Sequence, residues 1–493
     1  MDRAWTRARL GVFLVLLGSY AYFWHSRDWN TASRLMLTYS LVDCGTLSID
    51  GLEDQTGDKA YFRGRFYSDK LPGYPFLAAV PYAVERYALG VPPHPLGGPA
   101  LAYWPADYGA TLATSGILTA AAAVVLMGIA RDLGCSRRAA VLIALAYGLA
   151  TPAYVYATLA YGHQASAFAL LASFALLNRT GLPRDGLRVF AAGLLASYAA
   201  VIELQVGPVS AVLGFYLLGQ CLTRVRKADA VAFFGMGALL PALVLMGYNM
   251  LAFDGPLDMG YFHHATDQFA KVHSRANPLG LGKPDWGRAV ALLWGRHRGL
   301  LFYAPILALA IPGWALLFAR RHRGAAIASL AASTAVFLVN LSYPEWSGGW
   351  STGPRLLVPL LPFTMIPVAA VLAGAGRWER AAWSLAVALT VAVAVLMLLF
   401  QGVGARLPQD VLDPLVEAVL PLWRGDAKPP WWLGERFTRN LGGLAGGEAI
   451  TKLSPRWQWV QFAPLVLFQT LAVAWLLRRG HEKPEAGPIS SGC

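Results

Sequence analysis

Long apolar runs recur along almost the whole chain, and they restrict its fold more than any other feature. The first covers Leu10 to Trp24, and similar runs follow as far as residue 477. About 20 mostly apolar residues cross a bilayer as a helix, and inside lipid only helices and closed barrels satisfy their backbone hydrogen bonds. Charged residues make up 14% of the chain, against about 25% in soluble domains. We therefore predict an all-α polytopic membrane protein.

Periodicity, helix breakers and loop charge divide these runs into about twelve membrane helices. The predicted spans are 8–25, 106–130, 139–158, 163–178, 188–205, 207–223, 229–252, 299–319, 325–343, 356–374, 381–403 and 459–477. The shorter run Tyr74–Leu89 does not count as a span, because it contains two prolines and a Glu-Arg pair and would reverse every later connection. No small-residue cleavage site follows the first run, which argues against a secretory signal.

The charges of the short connections predict the orientation of the bundle. With the N-terminus inside, the inner segments are 1–9, 131–138, 179–188, 224–229, 320–324, 375–380 and 478–493. They hold 20 Lys and Arg residues against 7 acids, so they carry the entire formal net charge of +13. This is the positive-inside pattern. We expect both termini in the cytoplasm of a bacterial inner membrane, and no nucleic-acid partner, since no nucleic-acid-binding motif is present.

The cysteines and the motif content exclude several classes of site. Cys44 is the only cysteine on a predicted outer segment, so no disulfide within the chain is expected there. The sequence has no CxxC pair, no Walker loop and no GxGxxG, HExxH or GxSxG motif. Spacing alone therefore predicts no metal or nucleotide site.

Four predicted outer segments are too long to be simple connectors, and ordered loops of this kind are usually functional. They are 26–105, 253–298, 344–355 and 404–458. We therefore expect function at the outer lipid–water boundary. The predicted organisation is a core over 1–403 that includes the loop 26–105, a cap over 404–458 that includes Trp431-Trp432, a last helix over 459–477 and a cytoplasmic, disordered tail over 478–493.

The first outer segment begins with NTASRLMLTYSLVDCGTLSID, which predicts an interfacial amphipathic helix. Asn30 or Thr31 is the expected cap, and Gly45 is the expected end. The side chains expected to face the membrane surface are Leu35, Leu37, Leu41 and Val42. The following stretch AYFRGRFY alternates across Arg-Gly-Arg, which predicts a small hairpin.

The stretch YSDKLPG places a carboxylate and a lysine before a rigid Pro-Gly turn. Lys70 in such a turn suits an anionic ligand such as a phosphate, with Asp69 orienting it. The alternative is an interfacial salt bridge among snorkelling aromatic side chains.

The segment Ser33–Tyr82, which contains GTLSID and GDKAYFRGRFYSDKLPGYPF in that order, resembles the first outer loop of the GT-C membrane glycosyltransferases. It is most similar to the bacterial branch related to protein O-mannosyltransferases and lipid A aminoarabinose transferases. Members of that branch carry a turn in which an acidic residue is followed by Lys-Pro-Pro. In this chain Leu71 interrupts the double proline. Later stretches that resemble the branch are YGHQASAF (161–168), GYNMLAFDGPLDMGY (247–261), RGLLFYAPILALAIPG (298–313) and WSGGWSTGPRLLVPLLPF (346–363).

The resemblance implies an enzyme that moves a sugar from a polyprenyl-phosphate carrier to a lipid, glycan or protein acceptor. In that family an outer-loop carboxylate is the general base, which suits deprotonation of an acceptor hydroxyl. The acid lies about three residues before the Arg matched by Arg34, where this chain has Thr31. Asp28 is therefore the first candidate base and Asp69 the second. The competing carboxylates are Asp43, Asp50 and Asp58.

The same resemblance suggests the other site residues. The cations expected to hold the carrier phosphate are Lys70, Arg34, Arg355 and Arg298. The residues expected to line the substrate cavity are Tyr67, His163, Glu203, Trp346 and Trp350. Some family members use a metal and others do not, so the resemblance allows a divalent cation without requiring one.

Several of these residues also have a purely structural interpretation. A lone histidine such as His163 is more often a hydrogen-bonded helix cap than a ligand, and Glu203 is equally consistent with a solvated turn between helices. Trp350 and Arg355 fit an aromatic belt with a snorkelling arginine. The pair His263-His264 suggests zinc, but no further ligand follows at helical spacing.

Two other functions compete with glycosyl transfer. A transporter or flippase of a lipid-linked saccharide predicts paired, inverted halves, and no internal repeat is evident in the sequence. A non-catalytic protein on a GT-C scaffold is favoured by the missing acid at Thr31.

Overall fold

A computed structural model describes residues 3–96, 103–266, 271–374, 379–430, 433 and 435–478. Trp431-Trp432 of the predicted cap, and all of the predicted tail beyond Arg478, lie outside the described residues. The described part of the chain is built from helices, with two short two-stranded sheets.

The helices follow one another along the chain and are separated by connections of very different length. They are α1 (Arg3–Tyr20), α2 (Trp29–Tyr39), α3 (Gly73–Tyr87), α4 (Pro105–Asp132), α5 (Arg137–Leu149), α6 (Ala153–Tyr156), α7 (Gly162–Asn178), α8 (Asp185–Ile202), α9 (Leu204–Leu222), α10 (Asp229–Ala252), α11 (Trp286–Trp294), α12 (Leu300–Tyr303), α13 (Pro305–Ala319), α14 (Arg323–Ser342), α15 (Arg355–Leu372), α16 (Glu379–Gly402), α17 (Leu420–Arg424), α18 (Leu441–Thr451) and α19 (Pro455–Arg478). The strands are β1 (Phe23–Trp24), β2 (Lys59–Phe62), β3 (Arg65–Ser68) and β4 (Arg439–Asn440).

Each of the twelve predicted spans falls on a helix of the structure, so the all-α polytopic fold is confirmed. Within the described residues, 8 helices are long and apolar enough to cross a membrane. They are α4, α8, α9, α10, α14, α15, α16 and α19. The other four predicted spans fall on shorter or less apolar helices, and two of them are interrupted. The spans 8–25 and 163–178 fall on α1 and α7, 139–158 is divided between α5 and α6, and 299–319 is divided between α12 and α13. The run Tyr74–Leu89 forms the 15-residue helix α3, which is not among the candidate spans.

Small residues allow two of these helices to pack closely. A Cβ atom on Gly193 of α8 would lie 2.0 Å from the carbonyl oxygen of Phe234, and one on Gly237 of α10 would lie 2.0 Å from that of Phe190. Side chains larger than hydrogen are therefore excluded at both positions. Such small-residue contacts replace the hydrophobic driving force that helices lack in lipid.

The first long connection forms a packed unit. Asp28 is the N-cap of helix α2. Its carboxylate accepts the backbone N–H of Thr31, and the Thr31 hydroxyl accepts the backbone N–H of Asp28. This capping box places the cap two residues before the earliest predicted position. The predicted interfacial surface is also wrong, because Leu35 and Leu37 are buried against the protein. Gly45 ends the following turn with φ of 66°, as predicted.

The predicted hairpin is confirmed. Strands β2 and β3 pair antiparallel with Phe62 opposite Arg65, so Arg63 and Gly64 form a two-residue turn. Both turn residues have positive φ, 48° and 82°, which is the geometry that favours glycine in tight hairpins. The second strand of the hairpin ends immediately before Asp69 and Lys70.

The four long connections meet at one end of the bundle. Strand β1 pairs with β4, so the connection after α1 is tied to the connection after α16. Ala60 of the hairpin bridges to His264, which ties in the connection after α10. The backbone N–H of Ser351 donates to Leu407, which joins the connections after α14 and α16. These contacts enclose a cavity between the four segments.

Candidate active site

The cavity has a volume of about 700 Å³ and is lined by residues from all four long connections. Sites for small ligands typically have volumes of about 300–1,000 Å³. The five predicted site residues in its lining are Asp28, Asp69, Lys70, Trp350 and Arg355. Residues more than 300 positions apart in the sequence thus line one cavity, because the four long connections meet there.

Asp28 lines the cavity from the first turn of α2. One carboxylate oxygen accepts the Thr31 N–H at 2.8 Å, and the other accepts the hydroxyl of Tyr161 and lies 3.4 Å from Nη1 of Arg406. Burial favours the neutral acid. Arg406 and the donated hydrogen bonds outweigh that effect and hold the pKa of Asp28 below its ordinary value. The carboxylate is therefore ionised at neutral pH.

Asp69 and Lys70 lie in a buried charge cluster that also contains Asp58. The Lys70 ammonium lies 2.7 Å from Asp69 and 2.8 Å from Asp58. Ser33 donates its hydroxyl to the second Asp69 oxygen at 3.0 Å. Nε2 of His264 lies 3.4 Å from Asp69. The cluster therefore carries two carboxylates against one fixed cation.

The pKa values of this cluster follow from that pairing. Burial would raise the pKa of Asp69, but Lys70 and His264 reverse the effect and lower it. Burial would lower the pKa of Lys70, but Asp58 and Asp69 raise it above its ordinary value. Asp69 and Lys70 are therefore both charged across the physiological range.

The connection between α14 and α15 forms the opposite wall. Gly348, Gly349 and Gly353 all have positive φ, between 60° and 74°, and a Cβ atom on Gly353 would lie 2.9 Å from the Tyr303 ring. These glycines let the loop turn tightly before Arg355. The Arg355 guanidinium then stacks 4.9 Å from the centre of the Tyr161 ring, within the cavity.

Arg298 lies beside that loop and outside the cavity lining. It is 1% exposed, and it donates to the carbonyl oxygens of Ser347 at 2.7 Å, Gly349 at 2.9 Å and His297 at 3.1 Å. The side chain expected to hold a phosphate thus fixes the backbone of the loop that carries Trp350 and Arg355.

Arg34 also lies away from the cavity. Its guanidinium forms a buried ion pair with Glu203 at 2.6 Å, and Nδ1 of His163 lies 3.8 Å from the same carboxylate oxygen. His163 and Glu203 line a separate pocket of about 10 Å³, too small for more than one water molecule. The Arg34–Glu203 pair joins α2 to the junction of α8 and α9.

The two remaining predicted residues pack against other side chains. Tyr67 is buried with its ring 5.2 Å from that of Phe253. Trp346 packs on the main apolar core. Neither lies in the cavity lining.

Several residues that line the cavity were not among the predicted site residues. They are Tyr161, Tyr261, His273, Tyr343 and Arg406. Tyr161 begins the motif YGHQASAF, in which His163, two residues later, was the predicted site residue. Arg406 follows α16 in a stretch without a recognisable motif, so only the pairing of β1 with β4 could have placed it beside Asp28.

Three side chains form a candidate metal-ligand set. Ligand atoms of Asp58, Asp69 and His264 all lie within 4.8 Å of one another. His263 points elsewhere, because its Nε2 lies 2.9 Å from Asp258. The two histidines therefore do not form a zinc site together, and only His264 lies beside the carboxylates.

Comparison with known proteins shows the fold. No family model matches the sequence, and no curated protein matches it. ArnT from Cupriavidus metallidurans, solved with undecaprenyl phosphate bound, is similar with a TM-score of 0.52 and 15% identity over 98% of this chain and 78% of that chain. The oligosaccharyltransferase AglB from Archaeoglobus fulgidus, solved with an inhibitory peptide and a dolichol-phosphate, has a TM-score of 0.45 and 11% identity over 85% of this chain and 58% of that chain. The similarity to ArnT shows that this chain shares the overall fold of that protein.

Proposed function

We propose, from the GT-C fold and the composition of the cavity, that this chain is a membrane glycosyltransferase that takes a sugar from a polyprenyl-phosphate carrier. The acceptor is a hydroxyl of a lipid, glycan or protein. The observation that carries the proposal is the single cavity of about 700 Å³ that holds carboxylates and cations together. The positive-inside charge pattern supports a position on the outer face of a bacterial inner membrane.

The chemistry requires a base for the acceptor and a counter-charge for the leaving phosphate. In the proposed reaction a cavity carboxylate takes the proton of the acceptor hydroxyl, and the acceptor oxygen attacks the anomeric carbon. The bond between that carbon and the phosphate oxygen breaks, and the phosphate leaves with the electron pair. Asp28 is the first candidate base, because its side chain is 18% exposed while that of Asp69 is 2% exposed.

Fixed cations stabilise the charge that develops on the phosphate. Of the four cations predicted for this role, Lys70 and Arg355 line the cavity. Arg34 is neutralised by Glu203, and Arg298 donates to backbone carbonyls. The proposal therefore assigns the carrier phosphate to the cavity that contains Lys70 and Arg355.

A divalent cation fits the donor types of the cluster, since two carboxylates and an imidazole suit such ions. In the structure the Lys70 ammonium already donates to both carboxylates. A bound divalent cation would supply positive charge near the phosphate, in competition with Lys70 for Asp58 and Asp69. A divalent cation and the Lys70 ammonium would therefore compete for this position.

The test is reconstitution of the purified protein with polyprenyl-phosphate sugars and measurement of the released carrier. Asp28→Asn and Asp69→Asn are compared with Asp50→Asn, whose carboxylate bonds the backbone of Phe66 outside the cavity. Loss of a general base lowers rates by about 10²–10⁴-fold, so at least one cavity variant should fall by that amount while Asp50→Asn retains its rate.

Three results would count against this proposal: the first would overturn the assignment of the base, and the other two would overturn the proposed activity. If neither cavity variant lowers turnover, neither candidate carboxylate is the base. If no carrier is released from any donor while a lipid-linked saccharide crosses the bilayer, the protein is a transporter. Binding of the donor without turnover or transport would favour a non-catalytic scaffold.

A further inference from the structure

We infer that three arginines at the end of the bundle opposite the cavity form a binding site for the headgroup of an anionic phospholipid. The three are Arg9, Arg131 and Arg179. The inference follows from the place where their side chains meet and from the single carboxylate beside them. It does not depend on the proposed transfer reaction, because it concerns the other end of the molecule.

Three helices bring these arginines together. Arg9 lies in the second turn of α1, Arg131 lies in the last turn of α4, and Arg179 directly follows α7. Helix α4 packs against both α1 and α7. At their other ends α1 leads to Asp28 and α7 follows Tyr161, and both of these residues line the cavity. The arginine cluster and the cavity are therefore at opposite ends of the same helices.

Gly128 of α4 marks the point where two of the guanidinium groups meet. A Cβ atom on Gly128 would lie 3.3 Å from Nη2 of Arg179 and 3.4 Å from Nη2 of Arg9. Both nitrogens thus lie within 3.4 Å of one point beside the helix. Guanidinium nitrogens bond phosphate oxygens at about 2.7–2.9 Å, so one phosphate near this point can accept hydrogen bonds from both side chains.

The third arginine lies on the same side of α4 and stacks on an aromatic ring. Arg131 follows Gly128 by three residues, a spacing that places both on one face of a helix. Its guanidinium lies 5.5 Å from the centre of the Trp5 ring. Tryptophan side chains in membrane proteins are enriched at the level of the lipid headgroups. Trp5 therefore indicates that the cluster lies at headgroup depth.

The charges of the cluster do not cancel. Nε of Arg179 lies 2.7 Å from Asp132, whereas Arg9 and Arg131 form no ion pair within the described part of the chain. The charged groups that act on the Arg9 guanidinium are Arg131, Arg179 and Asp132. Three cations thus share one carboxylate. Like charges held close together repel each other, and a bound anion would offset that repulsion.

An apolar surface beside the cluster favours a lipid over a free anion. Leu10 and Leu14 directly follow Arg9 on α1 and are 58% and 54% exposed. Their spacing of four residues places them on one face of the helix, where acyl chains can pack. Basic pockets between membrane helices are recognised sites for anionic headgroups. A phospholipid with a net negative headgroup supplies both the phosphate and the apolar chains.

The experiment titrates fluorescent dioleoyl-phosphatidylglycerol into the full-length protein in a non-ionic detergent. Dioleoyl-phosphatidylcholine is the zwitterionic match with the same acyl chains, and inorganic phosphate is the soluble anion. The variants are Arg9→Gln, Arg131→Gln, Arg179→Gln and Gly128→Leu. Arg323→Gln is the control, because Arg323 begins α14 at the same end of the bundle and is exposed.

We expect each Gln variant of the cluster to weaken phosphatidylglycerol binding by about fivefold or more, the effect of one arginine near an anionic headgroup. Gly128→Leu keeps all three arginines but fills the space where they meet, so it should also lower the affinity. Its melting temperature in the absence of lipid checks that it is folded. Arg323→Gln should bind phosphatidylglycerol as the wild type does, and phosphatidylcholine binding should be the same in all variants.

Unchanged phosphatidylglycerol affinity in the three Gln variants would overturn the site. Full affinity in a folded Gly128→Leu variant would show diffuse attraction to the basic surface, and would overturn a binding position beside Gly128. Inorganic phosphate that binds as tightly as phosphatidylglycerol would overturn the lipid as the ligand. Equal losses in Arg323→Gln and the cluster variants would show that only the total charge matters.

Discussion

The ammonium of Lys70 lies 2.7 Å from the carboxylate of Asp69, inside a cluster that a second carboxylate completes. The residue that the sequence presents as a phosphate ligand is thus already neutralised by the protein. Its first structural effect is to hold two like charges together, because adjacent carboxylates cannot both stay ionised without a cation.

Replacement of Lys70 by Met should make the stability of the protein depend on a divalent cation bound at this cluster. Removing one partner from a buried ion pair costs about 3–5 kcal/mol, so the melting temperature should fall. Asp58, Asp69 and His264 then have no competing ammonium, and Mn²⁺ should raise the melting temperature of the variant more than that of the wild type. A ligand at 100 times its Kd adds about 2.7 kcal/mol.

Lys59→Met is the matched control, since Lys59 bonds Glu53 at the surface of the same loop. It should show no added response to Mn²⁺ relative to EDTA. An equal Mn²⁺ response in both variants would contradict the cluster as the binding position.

The Arg34–Glu203 pair should affect stability rather than ligand affinity. Glu203→Gln leaves a buried arginine without its counter-charge, and we expect a loss of about 3–5 kcal/mol in the free energy of unfolding. The double variant Arg34→Met/Glu203→Leu should recover part of that loss, because an apolar pair needs no desolvation. Undecaprenyl phosphate binding by the folded fraction should match the wild type; a selective loss of binding in Glu203→Gln would place this carboxylate in ligand recognition.

The sequence was informative where local chemistry determines structure. The spacing of apolar residues located the helices, and Arg63-Gly64 predicted a hairpin turn that the structure contains. The resemblance to the GT-C glycosyltransferases also placed Asp69, Lys70 and Arg355 near one site, and all three line the cavity.

Sequence reasoning failed where pairing depends on distant segments. Arg34 was expected at the phosphate, but its partner Glu203 is 169 residues away and removes it from the cavity. Arg406 had no local signal, and its place beside Asp28 follows from contacts between the first and last connections. Charge neutralisation across the fold, unlike helix formation, is not encoded in neighbouring residues.

The pH dependence of transfer should report the environment of Asp28. Its pKa is lowered, so the carboxylate stays ionised from neutral pH down to below about 3.9, the ordinary aspartate value. If Asp28 is the base, as proposed, protonation of its carboxylate should not lower the transfer rate above that pH. Tyr161→Phe removes a donor to the ionised form and should raise the pKa of Asp28.

The acid limb of the rate profile should therefore move to higher pH in Tyr161→Phe. Tyr108→Phe is the control, because the Tyr108 hydroxyl bonds the Ala21 carbonyl and does not touch Asp28. Identical limbs in Tyr161→Phe and the wild type would show that another group governs the acid side.

Arg298 should act by ordering the loop between α14 and α15. Arg298→Lys keeps the positive charge but loses the fork that reaches the carbonyls of Ser347 and Gly349. We expect faster hydrogen–deuterium exchange across residues 344–355 and weaker undecaprenyl phosphate binding, since Trp350 and Arg355 sit on this loop. Arg296→Lys is the control, because Arg296 is exposed and pairs with Asp413. If Arg298 instead bound the phosphate through its charge, Arg298→Lys would keep its affinity for undecaprenyl phosphate. Hydrogen–deuterium exchange of the loop would then not change.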